Sequence, residues 1–307
     1  MSSRLNLVQS YFEYDSAPVE KIAHPVFMSR GLELFVQRED KLGNGLLSGN
    51  KFRKLKYNLL AAIEQEEDVL LSFGGAYSNH IFALAAAGLH FGFKTIGIIR
   101  GEERLPLNPV LAFAKNVGME LHYMDRETYR NKTDPVVEKM LRERFGDFYL
   151  IPEGGTNALG VRGTVETLSR TDLDFDVVCC PVGTGGTLAG ITAGLKSHQR
   201  ALGISVLKGC FSLHRDVRDR LDALGVDAAC DWEINHEYHC GGYGKRPGRL
   251  LEGMSAFEAH HPIRLEHVYT GKLFLAVCDM AKRGCFAEGT KILLVYTWVP
   301  IPDEADR

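Results

Sequence analysis

From about residue 50 onward, short apolar segments alternate with amphipathic ones, and this alternation limits what the chain can fold into. "DVLLSF" (68–73) has the length and unbroken apolarity of a buried strand, and "SNHIFALAAAGLHFG" (78–92) reads as the helix after it. "TIGIIRG" (95–101) and "ELHYMD" (120–125) are strands; "NPVLAFAKNVG" (108–118) and "DPVVEKMLRERFG" (134–146) are helices. "FYLIPEGG" (148–155) is a strand entering a glycine turn, followed by the helix "GVRGTVETLSR" (160–170). "DVVCCPVG" (176–183), "TLAGITAGLKSH" (187–198) and "ISVLKGCFS" (204–212) continue as strand, helix and strand. The pattern predicts an α/β fold with mainly parallel sheets. The first 45 residues differ, with short strand candidates within "PVFMSRGLELFVQRE" (25–39). Residues 230–270 are irregular and rich in Gly, His and Tyr, which predicts a long active-site loop.

A length of 307 residues suggests roughly two domains. With 45% hydrophobic and 24% charged residues, the chain can build a real core and remain soluble. A net charge of −3 without a basic block argues against nucleic acid as a partner. "MSSRLNLVQSYFEYD" lacks the basic start and apolar run of a signal peptide. No segment reaches the roughly 18 uninterrupted apolar residues of a membrane span, so a cytoplasmic protein is expected. The seven cysteines are odd in number and contain no CxxC, which fits free thiols in a reducing compartment. Cys230, His236, His239 and Cys240 match no standard zinc spacing, and no metal is expected.

Three junctions share one construction: "FGGAYSNH" (73–80), "PEGGTNALG" (152–160) and "PVGTGGTLAG" (181–190). Each follows a strand and opens a helix. Glycines there let backbone N–H groups converge, and the helix start adds positive potential, so such a turn can cradle an anion. The third is the strongest, with Gly183, Gly185 and Gly186 for a tight cup and Thr184 and Thr187 for hydroxyls. It lacks the Gly-Lys-Ser/Thr of a P-loop and does not complete G-x-G-x-x-G. A phosphate monoester therefore suits it better than a nucleoside triphosphate or a dinucleotide. In the first junction Ser78, Asn79 and His80 are three adjacent polar residues at a helix start, Ser78 being also a natural cap. No G-x-S-x-G elbow supports a hydrolase. Asn157 in the second junction reads as a turn residue or a contact to a ligand.

"SGNKFRKLKYNLL" (48–60) then raises the matter of Lys51. Phe52, Leu55, Leu59, Ala62 and Ile63 recur at helical spacing, and Asn50 is a candidate cap. Lys51 stands at the positive end of that helix, where an ammonium is disfavoured. A lysine so placed, together with a phosphate cup and a polar loop, points to pyridoxal 5′-phosphate. A lysine that forms a Schiff base needs a lowered pKa, and burial near positive potential lowers it. The cofactor also needs a donor for its 3′-oxygen and a partner for its pyridine nitrogen.

The blocks "GNKFRKL" (49–55), "FGGAYSNH" (73–80), "GTGGTLAG" (183–190), "GGYGK" (241–245) and "VYTGK" (268–272) carry a resemblance. With them the chain resembles the tryptophan-synthase-β-type (fold type II) enzymes, specifically the group of 1-aminocyclopropane-1-carboxylate (ACC) deaminases and D-cysteine desulfhydrases. The resemblance runs from about residue 15 to 297. It implies that Lys51 binds pyridoxal 5′-phosphate and that Asn79 hydrogen-bonds its 3′-oxygen. It implies that Gly183, Thr184, Gly185, Gly186 and Thr187 hold the phosphate and that Thr297 lies beside the ring. Ser78 would contact the substrate carboxylate or assist proton transfer. Tyr269 would stack near the ring and Tyr243 would line the substrate pocket, with Tyr77, Asn79 and His80 completing it. Lys51, Ser78, Tyr243 and Tyr269 form the implied catalytic set.

The sequence departs from the family pattern at several places. Tyr77 stands where the family usually has Gln, and Glu266-His267 replaces Asp-Pro before Val-Tyr. Tyr296-Thr297-Trp298-Val299 replaces a His-Thr-Gly-Gly or Leu-Gly-Gly turn, and "PIPDEADR" follows where longer relatives have a helix. The resemblance implies a small domain over 52–160 and a large one from 1–51 and 161–307, with the cofactor in the cleft at the carboxyl ends of strands. It further implies a homodimer and a small amino-acid substrate. The expected reaction is a D-cysteine desulfhydrase-like β-elimination giving pyruvate, ammonia and sulfide. ACC deamination and cofactor binding with little turnover are the alternatives.

Overall fold

Residues 2–13, 16–43 and 45–298 are described by a computed structural model of the chain. In chain order, α1 (Ser2–Phe12), β1 (Val19–Ile22), α2 (Pro25–Met28), β2 (Glu33–Arg38) and α3 (Gly49–Glu64) come first. Then follow β3 (Val69–Gly74), α4 (Asn79–Phe91), β4 (Lys94–Arg100), α5 (Pro109–Asn116), β5 (Glu120–Met124), α6 (Arg126–Arg130), α7 (Pro135–Phe145) and β6 (Tyr149–Ile151). The rest is α8 (Ala158–Val165), β7 (Val177–Val182), α9 (Gly186–Ala193), β8 (Arg200–Ser205), α10 (Leu213–Ala223), β9 (Asp231–Asn235), α11 (Gly248–Glu258), α12 (Thr270–Lys282) and β10 (Lys291–Tyr296).

The described residues divide into two units. The first takes residues 2–13, 43 and 45–160. Its sheet has four parallel strands in the order β5-β4-β3-β6. Leu71 and Phe73 of β3 and Ile96 and Ile98 of β4 bury one face with Tyr129, Val137 and Leu141. The Ala-rich helix α4 is almost wholly buried and ends at Gly92, whose left-handed φ of 73° closes the last turn. In α3 the residues expected on the apolar face, Phe52, Leu55, Leu59, Ala62 and Ile63, are all buried.

Helix α1 and the first turn of α3 belong to this unit, whereas residues 1–51 were expected in the larger one. The reason is aromatic packing: Phe12 meets Phe52 with ring centroids 4.7 Å apart, and Tyr11 meets Phe91 at 5.2 Å. Lys51 also cannot be parted from 52–64, because α3 is one continuous helix from Gly49.

The second unit takes residues 16–42 and 161–298. Its six strands run β1-β2-β10-β7-β8-β9, all parallel except the β1–β2 pair. Alternation along β10 serves both faces. Ile292, Leu294 and Tyr296 enter one core with Leu273 and Val277 of α12. Leu293 and Val295 enter the other with Leu188 and Ile191 of α9 and Val217 of α10.

Four expected elements differ, the first being the helix expected at 160–170, which runs over Ala158–Val165. The strand expected at 204–212 lies earlier, at Arg200–Ser205. Gly203 at its centre is required because a Cβ there would lie 2.7 Å from both Leu188 and Val182, so helix α9 packs directly on the strand. The helix expected at 187–198 stops at Ala193, before Gly194. Residues 230–270 are not one loop: β9 pairs with β8 and α11 packs on α12. Val299 and "PIPDEADR" lie outside the described residues.

Leu293 is fully buried on the central strand. Replacing it with Ala should cost about 2–5 kcal/mol through lost burial and a residual cavity. Urea unfolding measures this, and an unchanged midpoint would show that the face re-closes around the smaller side chain.

Candidate functional site

Both groups of sequence-predicted site residues lie at the carboxyl ends of parallel strands, the edge where open α/β sheets bind ligands. In the first unit, β3 ends at Gly74 and turns at once into α4. A Cβ on Gly74 would collide with Ile81 and lie 2.8 Å from Ser78, so only glycine permits the turn. Ser78 is the N-cap of α4, its hydroxyl accepting from the Ile81 N–H at 3.3 Å. Asn79 is the first helical residue and is half-buried. Tyr77 is 58% exposed.

His80 behaves differently from its neighbours. Its imidazole is buried, with Nε2 2.9 Å from Ser72 Oγ, while Nδ1 has no partner. Burial first, then the positive Lys51 and Lys54, push its pKa well below the usual histidine range. The ring is a neutral core group, and what His80 offers a ligand is its backbone N–H in the first helical turn.

Lys51 lies in the first turn of α3. The position expected for the cap shifts, because Ser48 and not Asn50 is the N-cap residue. The Lys51 side chain is half-buried, and Nζ donates to the Gly154 carbonyl at 3.4 Å. Burial pushes its pKa down to about 8. Lys54, one turn on, donates to the same carbonyl at 3.2 Å and to Thr156 Oγ1 at 2.9 Å. Gly154 and Gly155 supply this acceptor only because both adopt left-handed backbone, with φ of 71° and 67°. Asn157 proves to be a structural turn residue. Its amide exchanges hydrogen bonds with Asn58 of α3 at 2.7 and 3.2 Å and receives the Gly160 N–H at 2.8 Å.

The second unit holds the loop between β7 and α9. Gly185 has φ of 82° and stands at the N-cap of α9, where it offers no side chain to cap the helix start, the kind of position that suits an anion. Gly183 is where the Tyr269 ring approaches: a Cβ would lie 3.3 Å from its Cε1. Thr184 is half-buried and Thr187 buried. Tyr269 meets Tyr243 edge-on, with ring centroids 5.9 Å apart and hydroxyl oxygens 3.5 Å apart. Thr297 follows β10 directly and is buried. The parallel register of β10 with β7 carries it to the level at which β7 gives way to the loop.

Several supporting residues escaped the sequence reading. Glu266 is a carboxylate cap for α12, accepting from the N–H groups of Val268, Tyr269 and Thr270 at 2.6, 2.6 and 2.7 Å. Burial raises its pKa and these bonds oppose the rise. The cap fixes Tyr269, and Thr270 Oγ1 in turn accepts from the Glu266 N–H at 3.0 Å. Lys272 is fully buried and donates to the carbonyls of Gly242 and Val206 at 2.9 and 3.2 Å, which ties down the segment bearing Tyr243. Asn108 caps α5 through Leu111 and donates from Nδ2 to the Ala76 carbonyl at 3.0 Å, bracing the loop before Ser78. Its signal was present, as Asn-Pro marks a helix start, but only contact reveals the second bond. Cys230 points at the Thr192 carbonyl rather than toward a ligand cluster with His236.

Each unit taken by itself has a part that suits pyridoxal 5′-phosphate: the first has a desolvated amine at a helix start, which suits an aldehyde, and the second has a glycine turn in which a Cβ at 183 would fill the space before Tyr269, which suits a phosphate. The chain belongs to the pyridoxal-phosphate dependent enzymes, whose pattern matches residues 23–297. Its fold is the tryptophan-synthase-β type and its cofactor is pyridoxal 5′-phosphate. It is 33% identical to a Pyrococcus furiosus protein provisionally named 1-aminocyclopropane-1-carboxylate deaminase, over 87% of this chain and 84% of that one. It is 29% identical to the mitochondrial bifunctional D-cysteine desulfhydrase/1-aminocyclopropane-1-carboxylate deaminase of Arabidopsis thaliana, over 88% of this chain and 73% of the other. A crystal structure of an ACC deaminase homologue superimposes with a TM-score of 0.80 at 26% identity, covering 98% of this chain and 96% of that one. Among the described residues, no helix is long and apolar enough to cross a membrane.

A lowered pKa leaves the Lys51 amine neutral, hence nucleophilic, at lower pH than an ordinary lysine. In cofactor-free protein, trapping of an aldehyde on Lys51 should rise through a midpoint near pH 8, the value set by its burial. Peptide mapping after borohydride at a series of pH values measures it; a midpoint above pH 10 would contradict the desolvated setting.

Proposed function

We propose that the protein catalyses β-elimination from a small amino acid, with D-cysteine as the first candidate. Cysteine and water would give pyruvate, ammonia and hydrogen sulfide. Bound pyridoxal 5′-phosphate supplies an electron sink for the pair left at Cα. In this reading Lys51 tethers the cofactor, and its amine then takes the Cα proton. Asn79 donates to the 3′-oxygen, and loop 183–187 receives the phosphate. Ser78 and the N–H groups after it take the substrate carboxylate, while Tyr77 and Tyr243 bound the substrate and Tyr269 the ring. The proposal includes a homodimer, a common arrangement of soluble enzymes. The seven free thiols suit the reducing cytoplasm, where the proposal places it.

Support for Lys51 over its neighbours comes from what the amines touch. Those of Lys54 and Lys272 each donate to two close acceptors, whereas Lys51 has one long contact to Gly154. Borohydride reduction of the yellow protein should fix the cofactor on Lys51. Label on Lys54, Lys56 or Lys272 would sink the assignment. In the same experiment Gly185→Val should release the cofactor, because φ of 82° is strained for Val and a Cβ would lie 2.9 Å from Val217. Folded Gly185→Val protein that kept the cofactor at wild-type affinity would reduce the loop to a simple turn.

The observation that carries the choice of reaction is Thr270. By the family resemblance, ACC-cleaving members have Glu at this position and Leu at that of Thr297. A carboxylate beside the pyridine nitrogen keeps it protonated and strengthens the electron sink; cleaving a ring without a good leaving group needs that strength. Thr270 is neutral, buried and hydrogen-bonded to the Glu266 N–H. Glu266 is no substitute, since its carboxylate is engaged by three backbone N–H groups. Elimination still proceeds with a weaker sink, because the departing thiolate carries the electrons away. A second reading, ACC deamination, draws support from the names of the relatives. Steady-state assays with D- and L-cysteine, β-chloroalanine and ACC decide between them. Cysteine turnover should exceed that of ACC; ACC turnover equal to or above it would refute the assignment.

A further inference from the structure

Strand β4 ends at Arg100, beside the loop that the proposed function assigns to the substrate. The register pairs Gly74 with Ile99, so Arg100 emerges level with Gly75. Its guanidinium folds toward that loop, with Nη2 3.6 Å from where a Cβ on Gly75 would sit. Gly75 has no side chain to cover it. Arg100 is exposed, and its guanidinium lies 5.9 Å from the centre of the buried Tyr129 ring, which Lys132 also meets at 4.8 Å; the contact draws the guanidinium to the ring without neutralising it.

Arg100 has no ion-pair partner among the described residues. Glu153, the acid on the same ring, is already taken: Tyr129 donates to its Oε1 at 2.8 Å and Lys132 meets its Oε2 at 3.0 Å. Glu102 and Glu103 follow on the chain, are exposed, and form no ion pair with Arg100. An unneutralised guanidinium at the mouth of a ligand loop is suited to bidentate capture of an oxyanion.

We propose that Arg100 is a specificity-determining residue that receives an oxyanion on the substrate's β-carbon, so that the site accepts amino acids bearing a phosphate or thiosulfate β-substituent. The inference rests on the reading that the 74–80 loop takes the amino acid. The same elimination serves such substrates. The Cα proton passes to the base, and the Cβ–O or Cβ–S bond breaks with its electron pair leaving on the oxyanion. O-Phosphoserine and water would give pyruvate, ammonia and phosphate; S-sulfocysteine and water would give pyruvate, ammonia and thiosulfate. Arg100 stabilises the charge as it departs.

The holoenzyme is titrated with both enantiomers of O-phosphoserine and serine, following the visible absorbance, and turnover is measured with O-phosphoserine, S-sulfocysteine and β-chloroalanine. Wild type should bind O-phosphoserine at least about tenfold more tightly than serine, the scale of a charge-assisted hydrogen bond. Arg100→Gln should abolish this preference and lower the kcat/KM ratio of the anionic substrates to β-chloroalanine by about tenfold or more. Arg100→Lys, which keeps the charge, should restore part of it. Absence of the preference in wild type, or its persistence in Arg100→Gln, overturns the proposal. β-Chloroalanine turnover reports separately on the elimination reading. If it is absent while the binding preference still depends on Arg100, that reading fails and the anion site stands.

Discussion

Three strand ends turn into helices in spaces that admit no side chain, and the positions of the polar groups depend on this. Gly74 faces Ile81 and Ser78, Gly160 faces the Gly155 carbonyl, and Gly185 faces Val217. A Cβ at 74 would press on α4, one at 160 on the turn that precedes α8, and one at 185 on α10. Because the turns are this tight, the first N–H groups of α4 and α9 stay at the sheet edge rather than being drawn into longer loops. The glycines are a steric condition for these turns, and the polar residues beside them inherit their positions.

Three buried or half-buried lysines then show how burial sorts similar side chains into different tasks. Lys272 holds two carbonyls and works as a brace. Lys54 joins the Gly154 carbonyl to Thr156. Lys51 has the weakest hold on a partner and a pKa lowered to about 8, and for that reason the proposed function gives it the reactive amine. The distinction lies in the number and closeness of acceptors, since all three share desolvated surroundings or a helix-bound setting.

The alternation of strands and helices between 68 and 183 was legible because buried parallel strands are continuous apolar runs. The place of Lys51 at a helix start and the strand–glycine–helix turns were legible for a related reason, as both signals are local. What escaped was set by partners distant in sequence. Strand β8 was misplaced because Gly203 weakens its pattern, and its meaning appears only when Leu188 is seen against it. Helix α1 was assigned to the wrong unit because its partners are Phe52 and Phe91. His80 read as part of a polar triplet, yet its ring turns inward to Ser72. Glu266 registered as a departure from a pattern, while its three backbone bonds show that it still caps the next helix.

The pairing of β2 with β10 carries a consequence for how the chain matures. Residues 33–38 lie beside residues 291–296 in register, so the larger sheet cannot close until Tyr296 has left the ribosome. The four-stranded sheet needs nothing beyond Ile151. During synthesis the smaller unit can therefore consolidate early, while the β1–β2 ribbon waits with an unpaired edge for a strand about 250 residues downstream. The apolar side chains of β2 remain uncovered for that interval, and it is there that a nascent chain would most need a chaperone.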